Sequence, residues 1–111
     1  MKKLLITLLF VLPATVFAEC SINNGQVEYG NCLVRENHQS KLRLDEIYNR
    51  TYKVTDAKAD LAIAQDLWSR YKLAQCEAVK SQAGTGSGAG NQYVQCLTYH
   101  NKARIKELNE F

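Results

Sequence analysis

Four cysteines, Cys20, Cys32, Cys76 and Cys96, constrain the fold of this chain more than any other feature. They follow a stretch with the pattern of a secretory signal peptide, in which two lysines precede an apolar run and Val16-Phe17-Ala18 offers a cleavage site. Exported proteins meet oxidising conditions, under which cysteines form disulfides. The sequence therefore predicts a signal peptide over residues 1–18 and two disulfides in a single domain over residues 19–111.

The spacing of the four cysteines allows three pairings and does not choose among them. We prefer the local pairs Cys20–Cys32 and Cys76–Cys96. Each of these would close a short loop and contribute on the order of 3 kcal/mol to the free energy of unfolding. A bridge from the first helix to a later helix remains the alternative.

The charge and hydropathy of the chain exclude two classes of partner. Cleavage would remove Lys2 and Lys3, which lowers the formal charge from +3 to +1. A near-neutral domain lacks the broad positive field that nucleic-acid binding requires. The apolar run over residues 4–12 is shorter than the roughly 20 residues that span a bilayer. We therefore expect no nucleic acid partner, no membrane insertion after cleavage, and a periplasmic or secreted protein.

Apolar side chains recur at helical spacing in three segments, and no segment is typical of a strand. The first helix is predicted over residues 32–55, after an entry loop or a frayed first turn, and the second over residues 57–79. Four of the six glycines lie in residues 81–90, which predicts a flexible loop before a last helix capped by Asn91. The expected fold is all-α, a small three-helix antiparallel bundle stapled by two disulfides.

The second helix contains the only tryptophan, Trp68. Leu61, Gln65, Lys72 and Cys76 recur on the same face at spacings of three and four residues. An aromatic side chain in such a stripe is typical of a core position, because a buried indole needs a large apolar site. We therefore expect Trp68 to pack in the core and residues 60–76 to form the central helix of the bundle.

The motifs that could carry chemistry are weak. Gly84, Gly86 and Ala89 fit a loose G-x-G-x-x-A pattern, but a dinucleotide-binding pattern follows a strand and this one follows a predicted helix. Cys96 and His100 share a helical face, but zinc needs free thiolates and export favours disulfides. No spacing places a serine beside a base. We expect no cofactor, no metal site, no catalytic residue and no enzymatic activity.

Several motifs together resemble a known family, the lysozyme inhibitor LprI-like N-terminal domain family of small exported bacterial helical domains. The resemblance covers nearly all of residues 19–111 and rests on residues assigned to the family motif and to packing: Asp45, Asn49, Tyr52, Gln65, Trp68 and Arg104, with Cys76 and Cys96. Lys72-Leu73 stands where the family often has Arg-Asp. Loss of that acid is expected to remove an internal ion pair from this turn.

The resemblance implies a periplasmic, non-enzymatic binding protein that inhibits lysozyme. The alternative is a structural or interaction module of the envelope, or an immunity-type protein against a secreted toxin. A lysozyme cleft works with two carboxylates, so an inhibitor should present hydroxyl, amide or cationic groups on a rigidly held loop. The glycine-rich loop offers such groups, and we expect partner contacts at Thr85, Ser87, Asn91 and Gln92. A passive connector is the alternative for this loop.

Overall fold

The computed structural model describes residues 20–111, which form three long helices and, within that range, no strand. A short 3-10 helix at Ile22–Asn24 precedes α1 (Gln26–Val54), α2 (Lys58–Ala83) and α3 (Ser87–Asn109). The predicted all-α three-helix bundle is confirmed. The predicted signal peptide, residues 1–18, lies outside the described residues.

The third helix is the centre of the bundle. It packs along both α1 and α2, whereas α1 and α2 make few contacts with each other. The prediction that residues 60–76 form the central helix is therefore wrong. The reason is that α2 buries only one side: Ile63, Leu67 and Tyr71, on its other side, are each more than half exposed.

The apolar core lies near the connection between α1 and α2. Leu44 and Ile47 of α1 meet Leu61 of α2 and Leu108 of α3, and all four side chains are buried. Each such burial stabilises the fold by roughly 1.5–3 kcal/mol. Tyr48, Trp68 and Ile105 are only partly buried and pack around this cluster. Trp68 thus packs against the core, as predicted, although it is not enclosed by it.

The two disulfides lie at the opposite end of the bundle from this core. They join Cys20 to Cys32 and Cys76 to Cys96, so the preferred local pairing is confirmed. The second bridge fastens α2 to α3, and Cys76 is fully buried within it. Apolar packing at one end and covalent bonds at the other therefore hold the bundle together.

The first helix begins at Gln26, earlier than the predicted start at residue 32. The composition of residues 19–31, rich in Asn and Gly, favours a loop, but tertiary contacts override that preference. The disulfide ties Cys20 back to Cys32 in the second turn of α1. The hydroxyl of Tyr29 accepts a hydrogen bond of 2.7 Å from the side-chain amide of Gln95 on α3.

The glycine-rich loop is also much shorter than predicted, because it comprises only residues 84–86. Gly84 and Gly86 have φ angles of 87° and 108°, which other residues rarely adopt, and they end α2 and begin α3. The remaining glycines, at 88 and 90, lie inside α3. Ala89 between them is buried, and this packing offsets the poor helix propensity of its neighbours.

We expect the Cys76–Cys96 bridge to stabilise the fold more than Cys20–Cys32. Replacing Cys76 and Cys96 with alanine should lower the free energy of unfolding by about 3 kcal/mol, because it frees the longer loop in the unfolded chain. The loops span sequence separations of 20 and 12 residues, and only the longer one includes a fully buried cysteine. Urea unfolding followed by circular dichroism measures both losses. An equal or larger loss for the Cys20–Cys32 pair would contradict this ranking.

Candidate functional site

A buried amide joins all three helices at mid-height. Asn101 of α3 is 1% exposed, and its Nδ2 donates to Asn37 Oδ1 at 3.3 Å and to Ser40 Oγ at 3.1 Å, both on α1. Its Oδ1 accepts a hydrogen bond of 3.2 Å from Lys72 Nζ on α2. Among residues 20–111, no buried side-chain nitrogen or oxygen lacks a partner.

Two cations lie against the ring of Trp68. Lys72 Nζ is 4.6 Å from the ring centre, and the guanidinium carbon of Arg104 is 6.0 Å from it. Arg104 also donates from Nε to Gln65 Oε1 at 2.9 Å and from a terminal nitrogen to Glu107 Oε2 at 3.0 Å. The motif residues Gln65, Trp68 and Arg104 therefore meet at the junction of α2 and α3.

An open groove of about 360 Å³ runs between α1 and α2, because these helices are held apart by α3. Both walls carry an aromatic ring and charged groups, and the α2 wall adds the amide of Gln65 and the hydroxyl of Ser69. The residues that line the groove are Lys41, Leu44, Asp45, Tyr48, Ala62, Gln65, Asp66, Trp68, Ser69 and Lys72.

The groove perturbs the protonation of Lys72. Partial burial lowers the pKa of this ammonium group below its ordinary value of 10.5, because the charged form loses hydration. The positive charge of Lys41 lowers that pKa further, and the carboxylate of Asp45 opposes both effects. Lys41 and Lys72 thus place two positive charges at the groove, one on each wall.

The other motif residues of α1 are not core residues. Asp45 lines the groove, while Asn49 and Tyr52 are exposed. Tyr52 stacks at a tilt on Tyr48, with ring centres 6.0 Å apart, and Lys58 Nζ lies 5.8 Å from the Tyr52 ring. These residues lie on the surface of the bundle. The expected role in packing therefore does not apply to Asp45 and Asn49.

The expected internal ion pair near Lys72 also needs correction. Leu73, which stands where the family pattern often has an acid, is 47% exposed. An aspartate at this position would face solvent rather than an internal partner. Lys72 itself has a clear polar role, because it completes the contacts of Asn101.

The predicted partner contacts lie at the disulfide end. Thr85 is exposed in the turn, Ser87 is the first residue of α3, and Asn91 and Gln92 follow in the next helical turn. Asn91 and Gln92 open onto a cleft of about 300 Å³ between the N-terminal segment and α3. This cleft is rich in side-chain amides and is lined by Ile22, Gln26, Tyr29, Gly88, Asn91, Gln92 and Gln95.

The sulfurs of Cys76 and Cys96 lie within 4.8 Å of a ring nitrogen of His100. Both sulfurs are bonded to each other, and a disulfide does not supply the thiolate ligands that zinc requires. The ring of His100 instead contacts Tyr71 and Tyr99 edge to face, at 5.7 and 5.3 Å between ring centres.

Sequence reasoning missed the network around Asn101. The helical pattern contains a sign of this network. Asn37 and Ser40 lie between Leu33 and Leu44 on the same face of α1, which is otherwise apolar. Asn101 interrupts α3 in the same way. Polar residues on an otherwise apolar helical face indicate buried hydrogen bonds, because an unpaired polar group would be costly there.

Residues 20–111 thus form a small helical domain that is stapled by two disulfides. A comparison with protein-family models matches residues 19–108 to the family described as Lysozyme inhibitor LprI. The match covers most of the chain, and the chain belongs to this family. The curated proteins and the solved structures each gave no match.

Family membership and the two disulfides fit an extracytoplasmic protein. In the part of the chain from residue 20 onward, none of the helices has the length and apolar character needed to cross a bilayer. The family is one of inhibitors rather than of enzymes.

Replacing Asn101 with alanine should lower the free energy of unfolding by about 2 kcal/mol, because Asn37, Ser40 and Lys72 would all lose a partner inside the bundle. Asn49→Ala is the matched control: this asparagine is exposed, and its loss should change the free energy by less than about 0.5 kcal/mol. Urea unfolding of both variants checks the difference. Equal effects would show that the Asn101 network contributes little to stability.

The lowered pKa of Lys72 gives stability a specific pH dependence. As the pH rises from neutral toward 10.5, the native state loses this proton before the unfolded state does. Stability therefore increases over this window. The free energy of unfolding of the wild type should rise relative to that of Lys72→Met. Urea unfolding near neutral pH and at about pH 10 measures the change, with Lys106→Met as a control for loss of a positive charge. A constant difference between wild type and Lys72→Met would contradict the lowered pKa.

Proposed function

We propose that this protein is exported to the periplasm or secreted, after cleavage of residues 1–18, and binds and inhibits lysozyme without catalysing a reaction. The observation that carries the proposal is the family match over residues 19–108. The disulfide-stapled bundle supports it, because a rigid scaffold loses little conformational entropy when it binds a partner.

The proposed contact surface is the amide-rich cleft together with the adjoining turn. Thr85 and Ser87 belong to the turn region, and Asn91 and Gln92 open onto the cleft. Side-chain amides donate hydrogen bonds, and a lysozyme active site contains two carboxylates that accept them. The cleft therefore offers groups that complement the target.

Both disulfides support this end of the molecule. Cys20–Cys32 fastens the N-terminal segment that forms one wall, and Cys76–Cys96 fastens α3, which forms the other. The Gln95 amide also bonds to Tyr29 across the two walls. Such cross-linking keeps the donors in place before the partner arrives, which lowers the entropic cost of association.

A second candidate is an interaction module of the envelope, including an immunity-type protein against a secreted toxin. The observation that favours it is the stripe of Ile63, Leu67 and Tyr71, which are 59%, 58% and 57% exposed on α2. Contiguous exposed apolar side chains are typical of protein interaction sites. This candidate predicts capture of another envelope protein and unchanged lysozyme turnover.

A lysozyme turnover assay with the purified protein tests the first candidate, and inhibition is expected. Asn91→Asp combined with Gln92→Glu should raise the concentration needed for half-inhibition at least roughly tenfold, because like charges would face each other across the interface. Asn49→Asp combined with Asn109→Asp adds the same charge on exposed positions away from the cleft and should not weaken inhibition.

Two outcomes would count against this proposal in different ways. Full lysozyme activity in a large molar excess of wild-type protein would reject inhibition itself. Inhibition that survives Asn91→Asp/Gln92→Glu but is lost in the control variant would place the contact on another surface.

A further inference from the structure

Lys72 is a half-buried cation, and none of the ion pairs found among residues 20–111 includes it, although the Asp45 carboxylate acts on it from a distance. Its Nζ donates to the neutral oxygen of Asn101, and its other neighbour is the ring of Trp68. The four ion pairs in this part of the chain join other residues. Removing a charge from water without a paired counter-ion is unfavourable, and such a group in a groove is a candidate for binding an anion.

A second cation faces the same groove. Lys41 lies on the α1 wall, and its charge acts on Lys72 across the open space. Two carboxylates also line the groove, but Asp66 is engaged by Arg70 at 2.9 Å. Asp45 alone remains to offset two ammonium groups. One positive charge is therefore left for a ligand to neutralise.

We propose that the groove between α1 and α2 binds a small organic carboxylate, with Lys72 and Lys41 as the cationic partners of its carboxylate group. The volume of about 360 Å³ lies at the small end of the range of roughly 300–1,000 Å³ found for small-molecule sites. The aromatic side chains of Tyr48 and Trp68 provide the apolar surface for the rest of the ligand.

Hydrogen bonds within the bundle hold the side chains of the groove in position. Lys72 is positioned by Asn101, whose amide is fixed in turn by Asn37 and Ser40. The side chain of Arg104, which is 11% exposed, lies against Trp68 and bonds to Gln65. Such a pre-positioned set of groups lowers the ordering cost of binding a small ligand.

This site is separate from the amide-rich cleft, which lies at the disulfide end of the bundle. The proposal therefore does not rest on lysozyme inhibition. Loss of carboxylate binding would leave the inhibition assay unaffected, and the reverse also holds.

Trp68 lines the groove and is the only tryptophan of the chain, so its fluorescence reports directly on occupancy. Phenylacetate is the probe, because it joins one carboxylate to one aromatic ring. Its titration should give a saturable change in fluorescence. Phenylacetamide, which has the same shape without the charge, should bind at least roughly tenfold more weakly, because its neutral amide forms no ion pair with the lysine ammonium groups.

Variants of the two lysines complete the test. Lys72→Met should weaken phenylacetate binding at least roughly tenfold, and Lys41→Met should weaken it severalfold. Lys106→Met removes the same charge from an exposed position of α3 and should leave binding unchanged. Lys41 is exposed, so its variant decides the question even where Lys72→Met does not fold.

Three results would overturn the proposal. The first is equal binding of phenylacetate and phenylacetamide, which would show that charge is not recognised. The second is unchanged phenylacetate binding by Lys41→Met and by folded Lys72→Met. The third is tighter binding of inorganic phosphate than of phenylacetate in the same fluorescence titration, which would show that the groove selects a different anion.

Discussion

The buried amide of Asn101 is the contact on which the arrangement of the three helices depends. It uses its nitrogen for α1 and its oxygen for α2, so one side chain of the central helix sets the position of both neighbours. A shift of α3 by one helical turn would leave this amide unpaired in the interior, at a cost of roughly 1–3 kcal/mol. The apolar cluster around Leu61 and Leu108 drives association, but apolar contacts alone tolerate such shifts.

The groove and the amide-rich cleft both follow from the central position of α3. Because α3 separates α1 from α2, the space between those two helices stays open and is lined by the side chains that would otherwise pack together. At the other end of the bundle, the disulfides hold the N-terminal segment and the end of α2 in place. A second cleft lies there, between the N-terminal segment and α3. The bundle thus places a charged groove and an amide-rich cleft on separate parts of one scaffold.

Local patterns in the sequence predict the three helices and the all-α class, because apolar spacing and glycine clusters act over a few residues. The spacing of the cysteines does not choose among the three pairings, and the structure confirms the preferred local one. The central helix was wrongly predicted, because an apolar stripe such as the one around Trp68 indicates only that one face of α2 is buried. It does not indicate which helix lies between the other two. The starts of α1 and α3 were placed too late. The first turn of α1 is stabilised by the hydrogen bond of Tyr29 to the distant Gln95, and the first turn of α3 contains the buried Ala89. The side chains around Asn101 come from three helices, and no local pattern brings them together.

The charge of the groove depends on a detail that family membership does not determine. Leu73 is exposed, so an acid at that position would be a surface group and would not serve as a counter-ion inside the bundle. The charges near Lys72 are instead set by the opposite helix, where Lys41 lowers the pKa of Lys72 and Asp45 raises it. A single substitution on α1 can therefore change the sign of the groove while the Asn101 contacts, the apolar cluster and the disulfides stay the same. The scaffold and the ligand preference of the groove are separable, and family membership does not determine that preference.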